Sequence, residues 1–164
     1  MVCLAFYEER FRAQLFEFSL PSEQHQFTGL PVDVLEISVK DKDRFPIVIL
    51  DEDDVVGFFI LHYGEEISSF SKNPNAILLR ALSINYKHQG KGYGKLAMEQ
   101  LPSFVKENFP QFDEIVLAVN MKNIGAKKLY DNVGFIDRGE RRVGKIGPQY
   151  ILHYGIKTKY SGLV

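Results

Sequence analysis

The sequence predicts an α/β fold, with a central mixed β-sheet of about six to seven strands flanked by helices. In the second half of the chain, strand-length apolar runs alternate with amphipathic helical patterns. In the first half, two apolar runs are joined by a short acidic turn, which predicts an antiparallel hairpin. We expect residues 1–164 to form a single domain, because this length suits one sizeable core.

The first 45 residues are predicted to contain an edge strand, a helix and a third segment that fits either a helix or a strand. Residues 1–7 form an apolar run that we interpret as an edge strand, and the pattern of residues 8–20 predicts a helix. Residues 32–40 fit either a helix or a strand. Pro31 at a first helical position favours the helix, because its missing N–H has no acceptor there in any case.

The hairpin is predicted from residues 46–50 and 55–61. We interpret its acidic turn, 51–54, as a solvated tip, with a site for a cationic substrate as the alternative. Residues 62–75 are polar and are predicted to be mostly loop.

The second half is predicted to contain four strands and two helices. The strands are residues 77–84, 114–119, 135–143 and 149–156. The first helix covers residues 93–108 and includes Pro102, which removes one backbone donor. The second helix begins after Asn123 as N-cap and ends at Gly134 as a C′ glycine. Residues 157–164 are expected to form a loose tail.

Composition excludes several classes of function. The formal net charge is −1, so we expect no nucleic-acid partner. The single cysteine, Cys3, excludes an internal disulfide and fits a reducing cytoplasm. The apolar segment 2–7 is too short for a signal peptide, and no apolar run reaches membrane-spanning length. We therefore expect a cytoplasmic protein with no membrane partner. No metal-binding residues are predicted.

A glycine-rich segment joins the strand at 77–84 to the helix that follows it. Its sequence is Gln89-Gly90-Lys91-Gly92-Tyr93-Gly94. A strand, a glycine-rich turn and a helix together aim backbone N–H groups at an anion, and the nearby lysines add positive charge. The spacing fits neither the P-loop nor the dinucleotide fingerprint. The segment thus predicts a phosphate-binding turn, with a plain tight turn as the alternative.

Two blocks of residues resemble a known family. Gln89, Gly92 and Gly94 form the pattern Q-x-x-G-x-G, which is similar to the coenzyme A pyrophosphate signature [RQ]-x-x-G-x-[GA] of the GNAT N-acetyltransferase superfamily. The block Asn123-x-x-Ala126-x-x-Leu129-Tyr130-x-x-x-Gly134-Phe135 resembles the second signature of that family. The resemblance covers about residues 46–156 and implies the GNAT fold, with acetyl-CoA as co-substrate.

The resemblance also implies which residues contact acetyl-CoA. Main-chain N–H groups of the central strand would polarise the thioester carbonyl, and those of residues 89–95 would hold the pyrophosphate. Lys128 would be the basic position near the phosphates or adenine, with a solvated helix lysine as the alternative. Tyr130 would be the general acid at the sulfur. The implied cofactor-binding residues are Leu82, Ser83, Ile84, Gln89, Gly90, Lys91, Gly92, Tyr93, Gly94, Lys95, Asn123, Lys128 and Tyr130.

An amine acceptor needs to lose a proton. A lysine-like amine has a pKa near 10.4, so only about 1 in 2,500 is neutral at pH 7. Many relatives place a glutamate on the central strand, whereas the charged side chain in this run is Arg80. The remaining candidates for a base are Glu36, His62, Glu65 and Glu66. Arg80 either pairs with a carboxylate or selects an anionic group on the substrate.

The expected activity is acetyl transfer to a primary amine of a small molecule, by direct attack in a ternary complex. The alternatives are a non-catalytic acyl-CoA-binding or sensor module, and a protein N-terminal or lysine acetyltransferase. Homodimerisation is common among relatives, so a homodimer is possible here too. The aromatic side chains considered for the acceptor pocket are Phe27, Phe58, Tyr63 and Phe70.

Overall fold

The structure is a computed structural model that describes residues 1–156, and the predicted tail lies outside these described residues. The strands are β1 (Val2–Phe6), β2 (Arg44–Asp51), β3 (Asp54–His62), β4 (Ala76–Ile84), β5 (Glu114–Asn120), β6 (Ile136–Gly144) and β7 (Gly147–Gly155). The helices are α1 (Arg12–Phe16), α2 (Pro31–Lys40), α3 (Tyr93–Asn108) and α4 (Ile124–Asn132). The sheet is seven-stranded and mixed, in the order β1-β2-β3-β4-β5-β7-β6. Within residues 1–156, none of the helices has the length and apolar character needed to cross a membrane.

The predicted fold class is confirmed, but the predicted helix at 8–20 is wrong in extent. A 3₁₀ turn at Glu9–Phe11 is followed by α1, which ends at Phe16. Beyond it, Phe18 and Leu20 are both buried. Burial of residues two apart is the period of extended chain, so packing against the core ends the helix early.

The ambiguous segment at 32–40 is a helix. Pro31 occupies the first turn of α2, and Leu30 before it is extended at φ −66° and ψ 149°. A residue before proline is restricted to that region, so the helix has a sterically defined start.

The first of two compact units comprises residues 1–62 and 79–97. In it, β1 pairs antiparallel with β2, and β2 pairs antiparallel with β3. The core on one side of these strands includes Phe11, Leu15, Leu35, Val48 and Phe58. Side chains from α1 and α2 thereby cover the hairpin strands.

The second unit comprises, among the described residues, 63–78 and 98–156. The start of β4 pairs in parallel with β5 over Ala76, Ile77 and Leu78. Strand β7 pairs antiparallel with both β5 and β6. The core cluster of the second unit consists of Ile67, Ala76, Leu78, Val116 and Ile151, with Phe70 packed against this cluster.

Candidate functional site

The glycine-rich segment forms an open loop directly before α3. Gly90 and Gly92 have φ values of +77° and +84°, which residues with a Cβ rarely adopt. No described atom lies within 4 Å of the Cβ that either glycine would carry. Leu96 N–H donates to the Gly92 carbonyl at 3.1 Å, so the N–H groups of Tyr93 and Gly94 precede the helical hydrogen-bond ladder. The open space beside Gly90 and Gly92 leaves room for a ligand to approach the loop backbone.

The charges around this loop favour an anion. Lys91 and Lys95 are exposed at the helix N-terminus, where the helix dipole adds partial positive charge. His88 precedes the loop, and its ring packs edge-on against Tyr93 at 6.0 Å between centroids. Burial, followed by the neighbouring charges of Lys87 and Lys91, lowers the pKa of His88. His88 is therefore neutral at pH 7, and the two lysines carry the local positive charge.

The side chain of Gln89 braces the loop from behind. Its Nε2 donates to the Ile84 carbonyl at 2.8 Å and to Oε1 of Gln24 at 3.0 Å. Its Oε1 accepts from Nε2 of Gln24 at 3.1 Å. No sequence pattern pointed to Gln24, because the two glutamines are 65 residues apart.

A second support comes from the acidic turn of the hairpin. The Tyr93 hydroxyl donates to Oδ2 of Asp51 at 2.5 Å. This hydrogen bond is the largest of the influences that lower the pKa of Asp51, and it raises the pKa of Tyr93. The interpretation of the whole turn as a solvated tip is therefore wrong for Asp51, which contacts the first residue of α3 within the first unit.

The proposed thioester-binding stretch follows a distortion in β4. Ala81 has φ 59°, which is strained for a residue with a Cβ. Leu82 and Ile84 beyond it are half-buried. Ser83 is 4% exposed, and its Oγ has no hydrogen-bond partner among the described residues. A buried hydroxyl without a partner is unfavourable, so a ligand or a water bound at this point would satisfy it.

The remaining residues predicted to bind the cofactor lie in the second unit, around α4. Asn123 is the N-cap, since its Oδ1 accepts from Ala126 N–H at 3.3 Å. Lys128 is exposed and so remains available to an anion. The adjacent Lys127 instead bonds Asp131 at 2.6 Å.

Tyr130 is a buried tyrosine in an aromatic cluster. It is 7% exposed and packs edge-on against Phe135 at 5.6 Å, while Phe135 packs against Tyr154 at 5.5 Å. Burial alone raises the pKa of the Tyr130 phenol. The hydroxyl is therefore protonated at neutral pH and can donate a hydrogen bond.

Among the candidate bases, His62 is 1% exposed in β3. Its Nδ1 lies 3.3 Å from Nη1 of Arg80. A guanidinium only donates, so Nδ1 of His62 accepts in this hydrogen bond and the ring proton lies on Nε2. This arrangement disfavours His62 as a base through Nδ1. The other candidates, Glu36, Glu65 and Glu66, are exposed.

One of the aromatic residues considered for the acceptor pocket is excluded. Phe58 is 0% exposed in the first core, so it does not line an open pocket. Tyr63, in contrast, lines a cavity of about 520 Å³ within the second unit, together with Glu65 and Ile67.

The profile of the Acetyltransferase (GNAT) family matches residues 6–135. The chain belongs to this family. It is 49% identical over 154 residues to YbbJ of Bacillus subtilis (strain 168), named as an uncharacterized N-acetyltransferase, with 93% of this chain and 96% of that protein covered. The two GNAT signatures thus identified the family correctly from the sequence.

Solved structures share the GNAT fold at low identity. The aminoglycoside acetyltransferase AAC(6')-Ib, crystallised with coenzyme A and kanamycin, has a TM-score of 0.76 at 20% identity, covering 98% of this chain and 96% of that one. The ribosomal-protein-S18-alanine N-acetyltransferase of Escherichia coli has a TM-score of 0.67 at 15% identity, covering 96% of both chains. These similarities concern the fold alone.

Proposed function

We propose that this chain is an acetyl-CoA-dependent N-acetyltransferase that acetylates a primary amine of a small molecule. In this proposal residues 1–164 act as one domain in the cytoplasm, with amine and acetyl-CoA bound in a ternary complex. Membership of the acetyltransferase (GNAT) family supports the reaction class. The AAC(6')-Ib structure with coenzyme A supports the co-substrate.

The observation that carries the proposal is the open loop before α3. Gly90 and Gly92 have backbone conformations that suit glycine, and no atom fills the space where a Cβ would point. N–H groups at a helix N-terminus, with two exposed lysines beside them, bind a pyrophosphate without any further side chain. This loop therefore anchors the co-substrate in the proposed mechanism.

Bound acetyl-CoA supplies a thioester, whose carbonyl carbon the amine attacks with release of the coenzyme A thiol. A main-chain N–H among residues 82–84 donates to the carbonyl oxygen as negative charge develops there. One such fixed donor contributes roughly 3–4 kcal/mol to lowering the barrier. Because this donor belongs to the backbone, its removal requires a change of conformation rather than of side chain.

Tyr130 stabilises the departing sulfur in this proposal. A thiol has a pKa near 8.5 and a free phenol near 10, so complete proton transfer from phenol to thiolate is uphill by about 2 kcal/mol. Burial raises the pKa of Tyr130 further, which makes complete transfer less favourable still. Tyr130 is therefore assigned as a hydrogen-bond donor to the developing thiolate. The proton that the amine loses is the one that the coenzyme A thiolate gains overall, so the reaction releases a neutral thiol.

Small amines are the acceptor class supported by the neighbours' own names. They include the aminoglycoside acetyltransferase AAC(6')-Ib and a chimera of the spermidine N-acetyltransferase SpeG from Vibrio cholerae. The second candidate is acetylation of a protein N-terminus or lysine, since the S18-alanine N-acetyltransferase also shares the fold. A homodimer is proposed as the assembly.

The first experiment is calorimetric titration of the purified protein with acetyl-CoA, with ATP and NAD as controls. Selective binding of acetyl-CoA is expected. A screen of small amines and of peptides then follows, with thiol release as the readout. Absence of acetyl-CoA binding by folded protein would sink the proposal. Binding without turnover on any amine or peptide would favour the sensor module instead.

A further inference from the structure

The side chain of Gln89 is fully engaged by other protein groups. Both hydrogens of its Nε2 are used, one by the Ile84 carbonyl and one by Oε1 of Gln24. The Ile84 carbonyl only accepts, which fixes the orientation of the Gln89 amide and then that of Gln24. Gln89 therefore keeps no donor for a phosphate, although it is the first residue of the glycine-rich signature.

Gln24 lies in the α1–α2 connection, which we define as residues 17–30. This connection is tied to the β4–α3 loop at a second place. Ser19 N–H donates to Oδ1 of Asn85 at 3.2 Å, and Tyr86 N–H donates to the Ser19 carbonyl at 2.9 Å. Asn85 is 4% exposed, so the acceptor of the first hydrogen bond is buried, whereas Ser19 and Tyr86 are exposed.

Gln24 lies between two buried residues and two exposed residues of the connection. Before it, Phe18 and Leu20 are buried, whereas His25 and Gln26 after it are exposed. The Gln24 carbonyl also accepts from the N–H groups of residues 27 and 28, at 3.0 and 3.3 Å. The geometry of the following turn therefore depends on where Gln24 is held.

We propose that Gln24 is a positioning residue for the co-substrate loop. Its reciprocal amide pair with Gln89 holds the loop in the conformation that presents the N–H groups of residues 90–95, since the Gln89 N–H itself donates to the Tyr86 carbonyl at 3.1 Å. The pair also links that loop to the α1–α2 connection. The inference rests on the proposed function for its ligand, acetyl-CoA. Coupling between two segments is reciprocal, so acetyl-CoA binding also orders residues 22–28.

Gln24→Ala tests the pair, with Gln26→Ala as the matched control. Gln26 is in the same connection, and its Nε2 bonds only the nearby Glu23 carbonyl among the described contacts, at 3.0 Å. We expect Gln24→Ala to raise the Kd and KM for acetyl-CoA about 3- to 10-fold, as loss of a hydrogen-bonded pair does. The value of kcat at saturating acetyl-CoA is retained, and Gln26→Ala changes none of the three constants.

A double-mutant cycle distinguishes the pair from two separate structural roles. The variant with both Gln24→Ala and Gln89→Ala is expected to bind acetyl-CoA no more weakly than Gln89→Ala alone. Amide exchange supplies the reciprocal measurement, because acetyl-CoA should slow exchange at residues 22–28 in the wild type but not in Gln24→Ala. Additive losses, or equal protection in both proteins, would overturn the inference.

A test without ligand separates this inference from the proposed function. If wild-type protein does not bind acetyl-CoA, the proposed function fails. The Gln24–Gln89 amide pair still predicts faster amide exchange at residues 89–95 in ligand-free Gln24→Ala than in ligand-free Gln26→Ala. Equal exchange rates in the two ligand-free variants would overturn the positioning role of Gln24, whatever the outcome for acetyl-CoA binding.

Discussion

At the scale of single residues, Gly92 shows how far the proposed site depends on a missing side chain. Its positive φ and the open space beside it leave the backbone N–H groups accessible. Tyr130 is the opposite case, since its contribution depends on a buried hydroxyl that keeps its proton. A separate prediction follows for each of these two residues.

Gly92→Asp should weaken acetyl-CoA binding at least about 10-fold, because a carboxylate repels phosphate and the positive φ is strained for any residue with a Cβ. Calorimetry measures the change in Kd. Gly139→Asp is the control, since Gly139 also has positive φ (+91°) and open space but lies on β6. Equal affinity of Gly92→Asp and wild type would rule out the loop as the phosphate site.

Tyr130→Phe should lower kcat about 10- to 100-fold with little change in acetyl-CoA affinity, because the donor acts on charge that develops during the reaction. Thiol release at saturating acetyl-CoA measures it. Tyr154→Phe, in the same aromatic cluster, should retain full kcat. An unchanged kcat for Tyr130→Phe, with chemistry rate-limiting, would remove Tyr130 from the mechanism.

At the scale of elements, α3 and α4 each begin at proposed cofactor residues. The start of α3 is defined by glycines and by the Tyr93–Asp51 hydrogen bond. The start of α4 is defined by the Asn123 cap. An N-cap both satisfies a backbone donor and fixes where the helix begins, so its stability and binding roles need to be separated.

Substitutions of Asn123 separate those two roles. Asn123→Ala removes the cap and should reduce the free energy of unfolding by about 1 kcal/mol, as measured by urea denaturation. Asn123→Asp keeps the capping oxygen, so it should keep stability while weakening acetyl-CoA binding through its charge. If Asn123→Asp bound acetyl-CoA like wild type, the cap would be the only role supported.

At the scale of the whole molecule, stability should depend on pH in two stages. Below about pH 6.5, the unfolded chain binds a proton at His88 that the folded chain binds less readily, because partial burial lowers the pKa of His88 in the folded state; this favours unfolding. Three aspartates have lowered pKa values: Asp41 through the Asp43 N–H, Asp51 through the Tyr93 hydroxyl and Asp137 through Arg141. Their stabilisation is present above the unfolded pKa near 3.9 and is lost as the pH falls further.

Urea denaturation from pH 7.5 to pH 3 measures this dependence. The urea concentration at the unfolding midpoint should decrease slightly as the pH falls below 6.5. It should decrease more steeply below about pH 4. Asp137→Asn should flatten the lower part of the curve, because its folded and unfolded states then bind the same number of protons at that position. A midpoint that rises between pH 4 and pH 3 would contradict the assignment.

The sequence alone determined the fold class, the limits of α3, the Asn123 cap and the family. All of these depend on local information, since hydrophobic period, glycine φ and capping side chains act within a few residues. The tertiary structure alone decided the early end of α1, the strained φ of Ala81 and the burial of Phe58. It also decided that Gln24 braces Gln89 and that Asp51 bonds Tyr93, because these partners are 65 and 42 residues apart and only folding brings them together.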